Sequence, residues 1–282
     1  MKRIGQLQAS RNAETRDGWD CFATHREQVV RLLLNAARST DEKLERRLCV
    51  LGAGNCNDLA LADLAETFGH VALVDIDEEA IISGITRQGV NASEVTIHGG
   101  VDVTGVANLM SKWLPNNPAP DNEVDACIAS ARKSDIPRLG SENTLVTSIC
   151  LLSQLIETIT FTLGANHPRF LDLLTCIRRE HLRLVSDLAV PGGVIVFITD
   201  VVSSLTVPDL ATAPSSDLPT LVGRAIADRN FFTGMNPFVI KRLLESEMPF
   251  AKQLTDVRLS QPWVWDLGPR HYAVCALTAT RV

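Results

Sequence analysis

The chain has 282 residues, 45% of them hydrophobic and 21% charged, with 27 Lys+Arg against 33 Asp+Glu and a formal net charge of −6. That length and apolar content support one large α/β domain or two small ones, and exclude a wholly disordered chain. The acidic balance counts against a general nucleic-acid binder, whose affinity rests on neutralising phosphates. The charge is uneven: residues 1–47 carry 10 basic and 7 acidic side chains, and residues 48–282 carry 17 and 26.

Seven cysteines (Cys21, Cys49, Cys56, Cys127, Cys150, Cys176 and Cys275) make an odd number with no CxxC pair. Several sit in apolar runs such as LCVL and DACIAS. They read as reduced, mostly buried thiols of a cytoplasmic protein, and no zinc-like spacing points to a metal. The start, MKRIGQLQASRNAETRD, has no apolar core, so no secretory signal is expected. The most apolar stretch, 190–202, is interrupted by Pro191, Gly192, Gly193 and Asp200, so no membrane span is expected.

In chain order, residues 1–17 read as loose and polar. Residues 19–37 place Trp19, Phe22, Val29, Val30, Leu33 and Leu34 at helical spacing, and Thr40, Asp41 and Glu42 look like the start of a second short helix. From residue 48 strand and helix signals alternate. Strands are expected at 48–54, 70–77, 94–100, 123–130 and 194–200, with helices at 57–68, 78–89 and 103–114 between the first four. A polar loop covers 131–144, two long helices cover 145–163 and 168–188, and a Ser/Thr/Pro-rich loop covers 203–220. Asn236 and Pro237 suit the start of a helix to about Glu247. Strands at 252–260 and 271–280 close the chain as an antiparallel hairpin joined by QPWVWDLGP. The expected fold is α/β: a Rossmann-like, doubly wound, mostly parallel seven-stranded sheet. It carries a C-terminal antiparallel hairpin and an N-terminal helical extension. The domain reading is an extension or cap at 1–47 and one cofactor-binding domain at 48–282.

Ligands of such sheets lie beyond the carboxyl ends of the strands, where strand order reverses. There the first strand ends in Gly52-Ala53-Gly54, a turn that demands little side-chain bulk and admits a ligand close to the backbone. Asp75 ends the second strand 23 residues after Gly52, where a carboxylate can take both hydroxyls of a ribose. Asp102 follows the third strand and suits an adenine amino group, with Ile76 and Val103 as apolar surfaces for the ring. Capping a helix is the plainer role for either acid.

At these residues the chain resembles the class I S-adenosylmethionine-dependent methyltransferases. The resemblance lies in LGAGNCNDL (51–59), VALVDID (71–77), GGVDVTG (99–105), EVDACIAS (123–130) and PGGVIVFITD (191–200), and extends over about 48–282. It implies S-adenosylmethionine as cofactor and in-line methyl transfer. It also implies a cofactor site of Gly52, Ala53, Gly54, Asn55, Asn57, Asp75, Ile76, Asp102, Val103 and Ser130. Two positions depart from the family turn: Val50 stands where an acid is usual and Cys56 where a third glycine is usual. Asn55, Asn57 or Asp58 would then supply polar groups to the methionine end. A nicotinamide-dinucleotide fingerprint would need glycine at 57, where Asn57 stands.

Ala129-Ser130-Ala131-Arg132 lacks the Asn/Asp-Pro-Pro-aromatic run of enzymes that methylate base amino groups. The expected acceptor is therefore a small molecule. Nucleic acid is not expected as partner, and oligomeric state is not readable. Candidate acceptor residues are His25 as general base, Arg26 as an anchor for the cofactor carboxylate, and Ser148, with a solvated helix face as the plainer reading of the first two and core packing as that of Ser148. Ser153, Gln154, Asp200, Trp263 and Trp265 could face the pocket but equally suit core packing, capping or hairpin packing. Arg132, Lys133, Asp135, Arg138 and Glu142 could form a lid, with a solvated loop as the plainer reading. The alternative function is a non-catalytic nucleotide-binding or scaffold protein that keeps the fold.

Overall fold

The computed structural model describes residues 2–40, 44–91, 93–117, 119–133, 136, 139 and 142–282. Two helices, α1 (Lys2–Thr15) and α2 (Ala23–Ser39), precede an alternating run. The run is β1 (Arg47–Leu51), α3 (Leu61–Phe68), β2 (His70–Val74), α4 (Glu78–Gln88), β3 (Val95–His98), α5 (Ala107–Met110), α6 (Asp121–Lys133) and β4 (Asn143–Ile149). It continues through α7 (Leu151–Leu163), α8 (Phe170–Asp187), β5 (Ala189–Ser203), α9 (Leu218–Ala227), α10 (Pro237–Ser246) and α11 (Phe250–Gln253). Strands β6 (Leu254–Leu259), β7 (Trp263–Asp266) and β8 (His271–Arg281) end the chain.

All eight strands form one sheet in the order β3-β2-β1-β4-β5-β8-β6, with β7 also paired to β8. Strands β1 to β5 are parallel, and β8 runs antiparallel to β5, β6 and β7. This is the doubly wound architecture expected above. One refinement concerns the closing segment. The linker 261–269 itself contains β7, so β6 and β7 lie end to end along one edge of β8.

The two-residue period of a strand sorts the core into two layers. On β1, Leu48 and Val50 face the helices α2, α3 and α4, while Cys49 and Leu51 face α6, α7, α8 and α10. Sequence also sets the helix ends. Asp77 accepts the Ala80 N–H at 3.3 Å to start α4, and Gly89, at φ 64, takes the left-handed conformation that ends it.

Five sequence readings are corrected. Residues 123–130 are not the fourth strand but part of α6. Val124, Cys127, Ile128 and Ala131 are buried at spacings of three and four, and the acids of the first turn and Arg132 and Lys133 of the last suit the helix dipole. The fourth strand is instead Asn143–Ile149, buried on both faces and so without alternation. It runs through Cys150, at φ 46, straight into α7, which is why 145–163 read as one helix. The helix expected at 103–114 shrinks to the single turn α5, and residues 2–15 are helical rather than loose. The expected loop 203–220 contains a 3-10 turn at Pro208–Ala211 and the start of α9, which packs on Val201, Val202 and Ala273.

Among the described residues no helix is long and apolar enough to cross a membrane. Six of the seven free cysteines are buried and Cys21 is exposed. Of the suggested lid and second helix, Asp41, Glu42, Asp135 and Arg138 lie outside the described residues.

Candidate cofactor and acceptor site

The strand order reverses between β1 and β4, and the glycine turn sits at that point. Gly52 has φ 80, and a Cβ there would lie 3.0 Å from Leu151 Cβ, so only glycine fits. Gly52 and Ala53 donate to Val74 O at 2.9 and 3.2 Å, which ties the turn to the end of β2. Gly54 donates its N–H to Asp75 Oδ2 at 2.8 Å, and Asp77 N–H donates to Asp75 Oδ1 at 2.9 Å. Burial raises the Asp75 pKa, and these backbone donors oppose the rise. Each oxygen keeps a lone pair for a ligand hydroxyl.

The missing third glycine is replaced by two residues. Cys56 itself adopts φ 52, a left-handed conformation that glycine usually supplies. The close approach is transferred to Gly84 of α4, where a Cβ would stand 2.4 Å from Asn55 O.

Two cavities that share Gly52, Asp75 and Gln154 in their walls lie at this turn. The first is a narrow apolar slot of about 40 Å³ whose walls include Ile76, Val101, Val103, Met110 and Leu155. Asp102 lies in its rim and also caps α5: Oδ1 accepts from Thr104 N and Oγ1 at 2.9 and 2.6 Å, and Oδ2 from Ala107 N at 2.7 Å. Both roles foreseen for Asp102 are thus compatible with its position. The second cavity, of about 530 Å³, is lined by Gly52, Ala53, Gly54, Asn55, Asn57 and Asp75. Asp58, Cys150, Ser153, Gln154, Asp200 and Trp265 also line it.

Helix α1, read from sequence as loose, roofs both. Ile4 and Gln8 are buried over the slot. Gln8 bonds Gln154, Arg11 pairs with Glu157 at 2.7 Å, and Asn12 donates to Asp77 Oδ2 at 2.9 Å. Asn55 and Asn57 donate their amides to Asn12 O and Thr15 O, each at 2.7 Å. Their Oδ1 atoms, with Asp58 Oδ1, are buried without a hydrogen-bond partner. Orphaned acceptors beside a glycine turn fit a donor-rich ligand.

His25 does not face this cavity as a general base. It is 1% exposed, stacked on Trp265 at 4.7 Å, and its Nδ1 accepts from Trp263 Nε1 at 3.0 Å. Burial pushes its pKa down to about 3, so it is neutral with its proton on Nε2, 3.4 Å from Asp58 Oδ1. Asp58 is pushed up to about 7 by burial, with Arg26 acting in the opposite direction. Arg26 is not aimed at the cavity either. Its guanidinium lies 3.5 Å from the Trp19 ring centroid and donates to Trp19 O and Asn57 O at 3.0 and 2.9 Å. It fastens the N-terminal segment to the glycine turn.

Ser148 is fully buried on β4 and shares a 2.8 Å hydrogen bond with His181 Nε2, away from both cavities. Ser130 is exposed on α6, because the strand that would have carried it to the site is a helix. The residue at the end of the true fourth strand is Cys150. Besides α1, the sequence reading missed Phe232, Arg270 and Tyr272, which line the same cavity. Only an alternating-strand signal at 271–280 bore on Tyr272, and it could not say which face opens on a ligand. Among the described residues no group of three or more His, Cys, Asp or Glu side chains could hold a metal ion.

No family model matches the chain, and no curated protein matches it. It is similar to the solved structure of the N-methyltransferase NodS from Bradyrhizobium japonicum WM9, at 12% identity over 91% of this chain and 95% of that one, with a TM-score of 0.44. It is similar at 12% identity to magnesium protoporphyrin IX methyltransferase (ChlM) from Synechocystis PCC 6803, over 96% of this chain and 84% of that one, with a TM-score of 0.44. A putative RNA methyltransferase from Pyrococcus horikoshii is similar at 12% identity over 91% and 83%, with a TM-score of 0.42. These likenesses are distant, and a functional reading has to rest on the residues of the site.

Proposed function

We propose that the chain is a cytoplasmic S-adenosylmethionine-dependent methyltransferase that acts on a small-molecule acceptor. The observation that carries this reading is Asp75, fixed by the Gly54 and Asp77 amides between an apolar slot and a cluster of orphaned acceptors. Asp75 would take the ribose hydroxyls. Ile76, Val103 and Asp102 would hold the adenine. The amides of the glycine turn, Asn55, Asn57 and Asp58 would hold the methionine end, with Asp58 doing what an acid at position 50 does elsewhere. The bound cofactor supplies an electrophilic methyl group on a sulfonium. The protein's part is to position the acceptor in line and to exclude water.

A small acceptor is favoured because the chain is acidic overall, and α1, α7 and the closing strands wall the cavity in part. Calorimetric titration with S-adenosylhomocysteine tests the reading, and micromolar binding is expected. Absence of binding at millimolar ligand would overturn it. Asp75→Ala should weaken binding at least tenfold by removing both ribose acceptors. An unchanged dissociation constant would remove Asp75 from the site.

A further inference from the structure

Beyond the residues assigned to the methyl donor, the larger cavity is walled by Cys150, Ser153, Asp200, Phe232, Arg270 and Tyr272. Asp200 stands on β5 opposite Val274 of β8, past the last residue that β5 pairs with β4. It is 6% exposed, and its Oδ1 is buried without a hydrogen-bond partner. Burial pushes its pKa up to about 6, with the Ser153 hydroxyl and the Arg270 charge acting the other way. Native interiors seldom leave a buried carboxylate oxygen unmatched, and one in a cavity wall points to a ligand that donates to it.

The surrounding charges say what kind of donor. Glu157 is paired with Arg11 at 2.7 Å. Arg270 lies over Tyr272 at 4.8 Å and Phe232 at 5.8 Å, a stacked arrangement at the wall. Asp58 belongs to the glycine turn. Among the described residues Asp200 is left as a carboxylate without an ion pair, in a chamber also lined by Phe232, Trp265 and Tyr272. The ring faces of Phe232 and Tyr272 already carry Arg270, so the feature that favours positive charge in a ligand is the buried carboxylate.

We propose that this chamber takes a small amine as methyl acceptor, with the Asp200 carboxylate accepting a hydrogen bond from the nitrogen that becomes methylated. The proposal rests on the methyltransferase reading and adds the substrate class. The bound ammonium first loses one proton to solvent, and the lone pair of the neutral amine so formed makes the new N–C bond. The S–C bond breaks with its electrons left on sulfur, and positive charge moves from sulfur to nitrogen. Asp200 faces the charge as it develops, and the product leaves as an ammonium that can lose its proton to water.

The test is calorimetric titration, at pH 8, of protein saturated with S-adenosylhomocysteine. The probes are benzylamine and tyramine, with 3-phenylpropionate and benzyl alcohol as anionic and neutral counterparts. The amines should bind in preference to both counterparts. Asp200→Asn should weaken amine binding at least tenfold while leaving S-adenosylhomocysteine affinity within about twofold. Should that variant fail to fold, Arg270→Gln gives the opposite sign, since it removes a competing cation and should tighten amine binding several-fold. Preference for phenylpropionate, amine binding unchanged by Asp200→Asn, or amine binding weakened by Arg270→Gln would each overturn the proposal. Binding of S-adenosylhomocysteine with no amine binding refutes the acceptor class alone. No binding of S-adenosylhomocysteine refutes the methyltransferase reading with it.

Discussion

Replacing Asp58 with asparagine should move stability and ligand affinity in opposite directions. The Asp58 side chain is 18% exposed, and its Oδ1 lacks a hydrogen-bond partner. The nearby His25 is neutral, since burial holds its pKa near 3, so it offers no ion pair. Burial raises the Asp58 pKa from 3.8 to about 7, so the folded protein holds this proton more tightly than the unfolded chain does. Below pH 3.8 both states are protonated and there is no penalty. Between there and pH 7 the penalty grows by ~1.4 kcal/mol per pH unit, and above pH 7 it is complete. Three units would amount to ~4 kcal/mol, which partial exposure reduces to ~2 kcal/mol. Asp58→Asn should therefore raise the Tm of the ligand-free protein by about 5 °C at pH 8, with the gain fading to nothing near pH 4. The same change should weaken S-adenosylhomocysteine binding about tenfold, because the ligand's ammonium loses its carboxylate. Thermal melts from pH 4 to 8 and calorimetry at pH 8 read both effects. A variant with no gain at pH 8 would refute the buried-charge argument, and unchanged affinity would refute the role in binding.

Gly84→Ala should be strongly destabilising, on the order of 3 kcal/mol, because its Cβ would meet Asn55 O at 2.4 Å. Denaturant unfolding would show it, and a near-neutral result would mean that α4 does not press on the glycine turn. Removal of residues 1–16 should speed both association and dissociation of S-adenosylhomocysteine in stopped flow. The slot under Ile4 and Gln8, at about 40 Å³, holds only a few waters, so α1 must withdraw before an adenine can enter. Unaltered rates would show that entry does not pass beneath α1. Ser148→Ala should cost about 1–3 kcal/mol in unfolding experiments by stranding the buried His181 ring, while ligand affinity stays the same. Lost affinity at full stability would return Ser148 to the site.

The frame of the site was legible because its demands are local. A tight turn needs Gly52 and Gly54, a strand end needs an apolar run, and Asp75 follows from the length of one βα unit. The fourth strand was not legible because its cues are inverted. β4 is buried on both faces and shows no alternation, whereas α6 carries a short run, VDACIA, whose apolar positions look strand-like over a few residues. Only the longer spacing from Val124 to Ala131 reveals the helix. That one misreading displaced Ser130 and Ser148 together, since Ser130 took its place from the strand read at 123–130 and Ser148 from the helix read at 145–163. The roles first given to His25 and Arg26 failed for a different reason. Helical periodicity says that a residue is on a helix, but what His25 faces depends on β7, more than 200 residues away in sequence, and what Arg26 faces depends on Trp19 and Asn57.

That distant contact explains why specificity is hard to read from this chain. The glycine turn and Asp75 come from the central βα units, yet part of the walls around them comes from the two ends of the sequence. From the N-terminal side come Gln8, Arg11, Asn12 and Thr15, and from the C-terminal side Trp265, Arg270 and Tyr272. The ends are joined by the Trp263 to His25 hydrogen bond, which orients the His25 Nε2–H toward Asp58. A carboxylate proposed for the methionine end thus lies beside a residue of α2 that the closing hairpin holds in place. Helix α1 is tied at the same time to α7, through Gln154 and Glu157, and the first turn of α7 supplies Ser153 to the acceptor chamber. Movement of α1 to admit the donor must break or carry those ties, and with them the chamber wall. The basic N-terminal segment is therefore better understood as a shared wall of both subsites than as a separate cap beside a finished domain.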